Sequence, residues 1–238
     1  VQEHVSFLSR PRRFGKSLLI STLDAYFSGK KELFEGLKIA DLEKEWVEYP
    51  VFRIDFARGN YNKEGTLEAR IDGFITEWES VYGKNPFSSE ITDRFYYVLK
   101  QAEEKTGHKA VVLIDEYDKP LLDPLGEEQE IVNRNILRSF YGTFKSADSH
   151  LRFVLLTGVT KFSQITVFSG FNQANDLTMD SKYDAICGIT TEELHTVFAE
   201  PIRELAEEME YTEEEMKLEL KRQYDGYHFS RKMLDIYN

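Results

Sequence analysis

One cysteine, Cys187, stands in a chain of 238 residues. A single thiol excludes an internal disulfide framework and a cysteine zinc site. It is expected as a small buried hydrophobe, and a reducing cytoplasm is the expected compartment. Long hydrophobic runs are missing as well: none approaches the ~20 apolar residues that span a bilayer, so no membrane segment is expected. Basic residues are scarce, 30 against 42 acidic ones, for a net charge of −12. Nucleic-acid binders neutralise phosphate with Lys and Arg, so strong nucleic-acid binding by this stretch is not expected, although a local basic groove stays open. The five histidines show no metal-ligand spacing. Internal repeats and low-complexity segments are absent. The sequence opens on Val1 and closes on Asn238, and it reads as a fragment truncated at both ends.

Against these absences stands an alternation of strand and helix patterns. The apolar run at residues 4–9 leads into a short loop, and a helical pattern follows from Ser17 to about Phe27. Residues 29–49 read as loop with a short helix. Phe52, Ile54 and Phe56 alternate with Arg53 and Asp55, the period of a strand. Two helical patterns near 64–82 and 88–106 come next. The run 110–114 is short, apolar and β-branched, as expected of a strand buried on both faces, and 151–156 reads as another buried strand. Between them, Ile131, Leu137, Phe140, Tyr141 and Phe144 are placed on one side of a helix. Beyond Gly170, Thr190–Glu193 and Thr212–Glu215 resemble capping boxes, with Pro201 dividing a helix or starting a new one. The expectation is an α/β fold with a mainly parallel sheet covered on both sides, residues 1–184, followed by a small helical appendage, residues 185–238.

The chemistry is concentrated at two places. Arg10-Pro-Arg-Arg-Phe-Gly-Lys16-Ser17 lies between the first strand and the first helix. Unpaired N–H groups and the helix dipole favour an anion there. The pattern resembles the phosphate-binding loop G-x-x-x-x-G-K-S/T, with Arg10 where glycine is usual. Arg10, Pro11, Arg12, Arg13, Phe14, Gly15, Lys16, Ser17 and Leu18 are therefore the candidate nucleotide-contacting set. Lys16 reaches the β- and γ-phosphates, and the Ser17 hydroxyl ligates Mg2+. Arg12 and Arg13 either lean over the phosphates or form a surface basic spot, with the surface favoured for Arg12. About a hundred residues on, a buried strand ends in Asp115-Glu116. In a parallel sheet that edge is where ligands bind. Asp115 is the second Mg2+ ligand and Glu116 the residue that orients and deprotonates water. Thr157, at the tip of the next strand, is set to bond the γ-phosphate or the water. Lys161 either adds charge nearby or is solvated. Asp55 either supports the site or, as the preferred reading, caps its loop. The sequence has no guanine-reading Asn-Lys-x-Asp, since Asn62-Lys63-Glu64 is followed by Gly65; ATP is the expected nucleotide.

With these residues in hand, the chain resembles the AAA-ATPase-like family of bacterial and archaeal proteins. The resemblance is carried by residues 10–17, Leu33–Lys38, Val112–Pro120, Leu156–Ser163, Phe168–Gly170 and Tyr224–Ser230. It implies a P-loop NTPase three-layer sandwich with an additional strand in the sheet and a C-terminal helical, lid-like region. It implies ATP and Mg2+ as cofactors, with Lys16, Glu116 and Thr157 as catalytic residues and Ser17 and Asp115 on the metal. Family members often carry a C-terminal nuclease-like domain of the PD-(D/E)XK type, a partner domain not found in this stretch. Two further readings stay open: a nucleotide-gated switch or scaffold for that missing effector, and a nucleic-acid-processing component. Hydrolysis by the isolated chain is expected to be slow, because an arginine finger is often supplied by a neighbour. A homo-oligomer is kept among the partners on that account, beside ATP and ADP.

Overall fold

The computed structural model describes residues 5–160, 174–224 and 226–238. They fall into two compact units. The first comprises Val1–Ser9 and Lys16–Asp176, and the second comprises Arg10–Gly15 and Leu177–Asn238.

In the first unit the elements alternate as expected. Strand β1 (Val5–Ser9) is followed by α1 (Lys16–Phe27), a short 3-10 turn at Lys31–Phe34 and α2 (Lys38–Leu42). Strand β2 (Val51–Asp55) leads to α3 (Thr66–Tyr82) and α4 (Ile91–Thr106). Strand β3 (Ala110–Asp115) is followed by α5 (Lys119–Leu122), α6 (Glu128–Ser146) and β4 (Leu151–Gly158), with β5 (Asn175–Asp176) closing the unit. The sheet order is β2-β3-β4-β1-β5, and every pairing is parallel. Strand β4 thus separates β1 from β3. That is the additional strand expected from the sequence, and the unit has the α/β architecture of a P-loop core.

Residue alternation explains the layers. Phe52, Ile54, Val112, Ile114, Val154 and Leu156 face one side, where they join Ile71, Ile75 and Trp78 of α3, Phe95, Val98 and Leu99 of α4, and Leu137, Phe140 and Phe144 of α6. The opposite side receives α1: Asp24 pairs with Arg53, and the Phe27 and Phe153 rings meet at a tilt, 5.5 Å between centroids. Both faces of β3 are covered, which is why all six of its residues are buried. On α6 one expectation fails. Ile131 is 63% exposed, and the inward position near it is taken by Asn133. Asn133, Leu137, Phe140 and Phe144 follow the four-three-four step of one helix face; Ile131 lies off it. The Asn133 amide earns its burial by donating to the carbonyls of Tyr61 at 3.0 Å and Pro120 at 2.8 Å.

The second unit holds β6 (Ile189–Thr190), α7 (Thr191–Thr196), α8 (Ala199–Glu208), α9 (Glu213–Tyr224) and β7 (Ile236–Tyr237). Both capping boxes form: Thr190 with Glu193, and Thr212 with Glu215. Pro201 stands in the first turn of α8, where its missing N–H costs nothing, so it starts a helix rather than dividing one. Strands β6 and β7 pair antiparallel. Leu194, Ile202, Ala206, Met216 and Tyr237 form a small apolar cluster in this unit.

A buried ion pair fastens α4 to α3. Arg94 donates Nε and Nη2 to the two carboxylate oxygens of Glu79, at 2.9 and 2.8 Å, and Nη1 to Asp72 at 2.5 Å. The guanidinium hydrogen bond holds the Glu79 carboxyl below the usual carboxylate range, against the opposing effect of burial. A carboxyl depressed in the folded state stabilises at pH above its unfolded value, and that contribution is lost as pH falls through the folded one. Arg94→Met is expected to cost about 3–5 kcal/mol, because Glu79 is left charged and unpaired. In denaturant titrations the loss should shrink as the pH is lowered below about 4, and Arg94→Met/Glu79→Leu should recover most of it.

Candidate active site

Parallel strands all end at one edge, and register decides which residues stand there. Asp55 pairs with Asp115, Ile114 with Leu156, and Leu8 with Thr157. The tips of β2, β3, β4 and β1 therefore form one row. Asp115 is 3% exposed, and a carboxylate so buried needs hydrogen bonds. It has two, both on Oδ1: the fully buried Thr157 hydroxyl donates at 2.7 Å and the Glu116 N–H at 3.0 Å. Among the described residues Oδ2 accepts none. Thr157 thus directs its hydroxyl at the acid of the neighbouring strand.

Glu116 turns the chain away from the strand with φ of 52°, a left-handed conformation that costs a residue with a Cβ about 1 kcal/mol or more. Its half-buried carboxyl is held above the usual carboxylate range, first by burial and then by the charges of Asp115 and Asp55. Lys119 and Lys16 pull it back down. The charge of Lys16, buried in the first turn of α1, is thus felt at the end of β3. Asp55 caps its own turn by accepting from the Ala57 N–H at 2.7 Å, the preferred reading of that residue. Lys119 is paired with Asp123 at 2.5 Å and lies 5.6 Å over the Tyr61 ring.

The other candidates are placed as follows. Ser17 and Leu18 are exposed on α1. Arg10, Pro11, Arg12, Arg13, Phe14 and Gly15 belong to the second unit. There Arg12 and Arg13 are exposed, while Arg10 and Phe14 are each 1% exposed. Arg13 and Gly15 both have positive φ, 70° and 79°. Lys161 lies outside the described residues. Asp115 Oδ2 and the Ser17 hydroxyl are hard oxygen donors, the class of ligand that Mg2+ prefers.

The family described as a predicted AAA-ATPase matches residues 1–168. The chain belongs to the AAA-ATPase-like family. An "uncharacterized protein in vnfD 5'region" of Azotobacter chroococcum mcd 1 is 43% identical over 195 residues, which cover 81% of this chain. The same stretch covers 38% of that relative's length. No solved structure matches. Membership of the AAA-ATPase-like family implies nucleotide binding.

Sequence reasoning missed three residues that fix these strand ends: Asp118, Tyr117 and Gly158. Asp118 is fully buried, and its Oδ2 accepts from the N–H groups of Val159 at 2.9 Å and Thr160 at 2.6 Å. It ties the loop after β3 to the turn after β4, on either side of the Asp115–Thr157 bond. The Tyr117 hydroxyl adds a second tie by donating to the Thr160 carbonyl at 2.5 Å. Gly158 makes room: a Cβ there would come within 2.0 Å of the Tyr117 ring and 2.7 Å of Asp118 Oδ1. The available signal was an acid three residues beyond Asp115 and a glycine directly after Thr157. Gly158→Ala and Asp118→Ala are each expected to lower unfolding free energy by about 2–3 kcal/mol. Leu125→Ala, at a position 66% exposed, should change it by less than about 0.5 kcal/mol. Urea titration checks all three, and an Asp118→Ala chain as stable as the parent would exclude the tie.

Proposed function

We propose that this chain binds ATP with Mg2+ and hydrolyses the β–γ phosphoanhydride bond. The supporting observation is the Asp115 carboxylate at the end of β3, which accepts from Thr157 and Glu116 at one oxygen and keeps the other without a partner among the described residues. In this reading the backbone N–H groups of residues 12–15, just ahead of the first turn of α1, are turned to the phosphates. Lys16 neutralises the β- and γ-phosphates, and Ser17 and Asp115 hold the metal. When bound, the metal offsets the charge that develops on the phosphate oxygens.

Glu116 accepts the proton of the attacking water. A carboxyl held above its ordinary range is a better base for that step than a fully solvated one. Thr157 fixes Asp115 and thereby the ligand geometry. Catalysis is then positioning and charge stabilisation, with no covalent intermediate on the protein. The lack of an Asn-Lys-x-Asp motif supports adenine over guanine. In the relative, the matched stretch is 38% of the protein, so an effector such as a nuclease-like domain belongs to the proposal for the whole protein.

Glu116→Gln is expected to keep ATP affinity within about twofold and to lower steady-state phosphate release by about 100-fold or more. Lys16→Ala is expected to weaken ATP binding itself by about tenfold or more. Calorimetry and a phosphate-release assay separate the two effects. Glu116→Gln turning over at the parent rate would remove the base assignment. Tight binding with a single slow turnover in the parent chain would favour a nucleotide-gated switch.

A further inference from the structure

One sequence block finds no use in the chemistry above: Tyr224–Ser230, near the C-terminal end. Among its described residues, two aromatic rings meet the phosphate loop. Phe14 sits edge-on to Tyr227 at 4.8 Å and to Phe229 at 5.4 Å between ring centroids. The Arg10 guanidinium lies 4.0 Å over the face of Phe229. In the same buried position it donates Nη1 to the Thr178 carbonyl and Nη2 to the Tyr183 carbonyl, both at 2.9 Å. The Phe14 carbonyl accepts from the Gly188 N–H at 3.1 Å. Gly188 has φ of 88°, and a Cβ on it would come within 2.9 Å of the Phe14 ring and 2.5 Å of Ile236.

We infer that Phe229, with Tyr227, is a positioning element for the phosphate loop, and that Arg10 is the anchor by which the loop is held rather than a phosphate ligand. The residues between the anchors need such a hold. Arg13 carries a Cβ at φ of 70°. A conformation of this kind persists only where its surroundings over-determine it. Both flanks of Arg12-Arg13 are over-determined, by Arg10 on one side and Phe14 on the other. The same arrangement accounts for arginine in place of the loop's usual first glycine. A planar guanidinium can stack on a ring and donate in its plane to two carbonyls at once; glycine supplies neither bond, and an ammonium cannot match the geometry. Holding the loop before nucleotide arrives removes an ordering cost from binding.

The inference rests on the ATP-binding reading, and its test separates the two. In the full chain, Phe229→Ala and Phe229→Tyr are compared by calorimetric titration with ATP in Mg2+ and by trypsin cleavage at the exposed Arg12 and Arg13. Phe229→Ala is expected to bind ATP about tenfold more weakly and to be cut in the loop about tenfold faster. Phe229→Tyr, which keeps the ring, should restore both. A folded Phe229→Ala chain, verified by circular dichroism, with parental affinity and cleavage rate would overturn the assignment. Should Phe229→Ala fail to fold, Arg10→Lys decides: the same paired losses are expected, and unchanged affinity and cleavage overturn the assignment. A parent chain that binds no nucleotide would defeat the ATP reading alone, since faster loop cleavage in the variants still reports the hold.

Discussion

The hydrogen bond from Thr157 to Asp115 is the contact on which the rest of the site depends. A carboxylate at the end of a strand covered on both faces cannot draw on bulk water, so its charge must be met by the protein. The neighbouring strand does this at 2.7 Å, and only because the parallel register brings the two tips side by side. With one oxygen occupied, the other is oriented. The turn that follows then sends Glu116 out in a left-handed conformation, next to an acid it repels and within reach of the Lys16 charge.

That single bond is guarded from both sides. Asp118 and Tyr117 bind the turn after β4, and Gly158 lets the Tyr117 ring lie directly on the backbone. The residues after Asp115 thus divide: Glu116 is partly exposed, while Tyr117 and Asp118 face inward and fix the neighbouring turn. Stiffness at the strand tips is what a site built on electrostatic preorganisation requires.

Much of this was legible in the sequence because local patterns state it directly. Ala110–Ile114 reads as a strand covered on both sides, and the acids that follow are placed by the ordinary rule for parallel sheets. The capping boxes at Thr190 and Thr212 are local too, and both form. What was not legible depends on partners far away in the chain. Arg10 reads as a flaw in a phosphate loop, since nothing near it reveals carbonyls at Thr178 and Tyr183 or a ring at Phe229. Asp118 looks like one more solvated acid until Val159 and Thr160 are seen on it. Ile131 was misread because its helix turns a polar residue, Asn133, to the inside in order to satisfy two loop carbonyls.

The placement of residues 10–15 among residues 177–238 bears on how the molecule can be divided. A cut after the last strand of the sheet would keep Lys16, both acids and Thr157, and a count of site residues would call the shortened protein intact. Yet it would discard Thr178, Tyr183, Gly188, Tyr227 and Phe229, the residues that hold Arg10 and Phe14. Inherited or engineered changes near the C-terminal end would then surface as faults two hundred residues upstream.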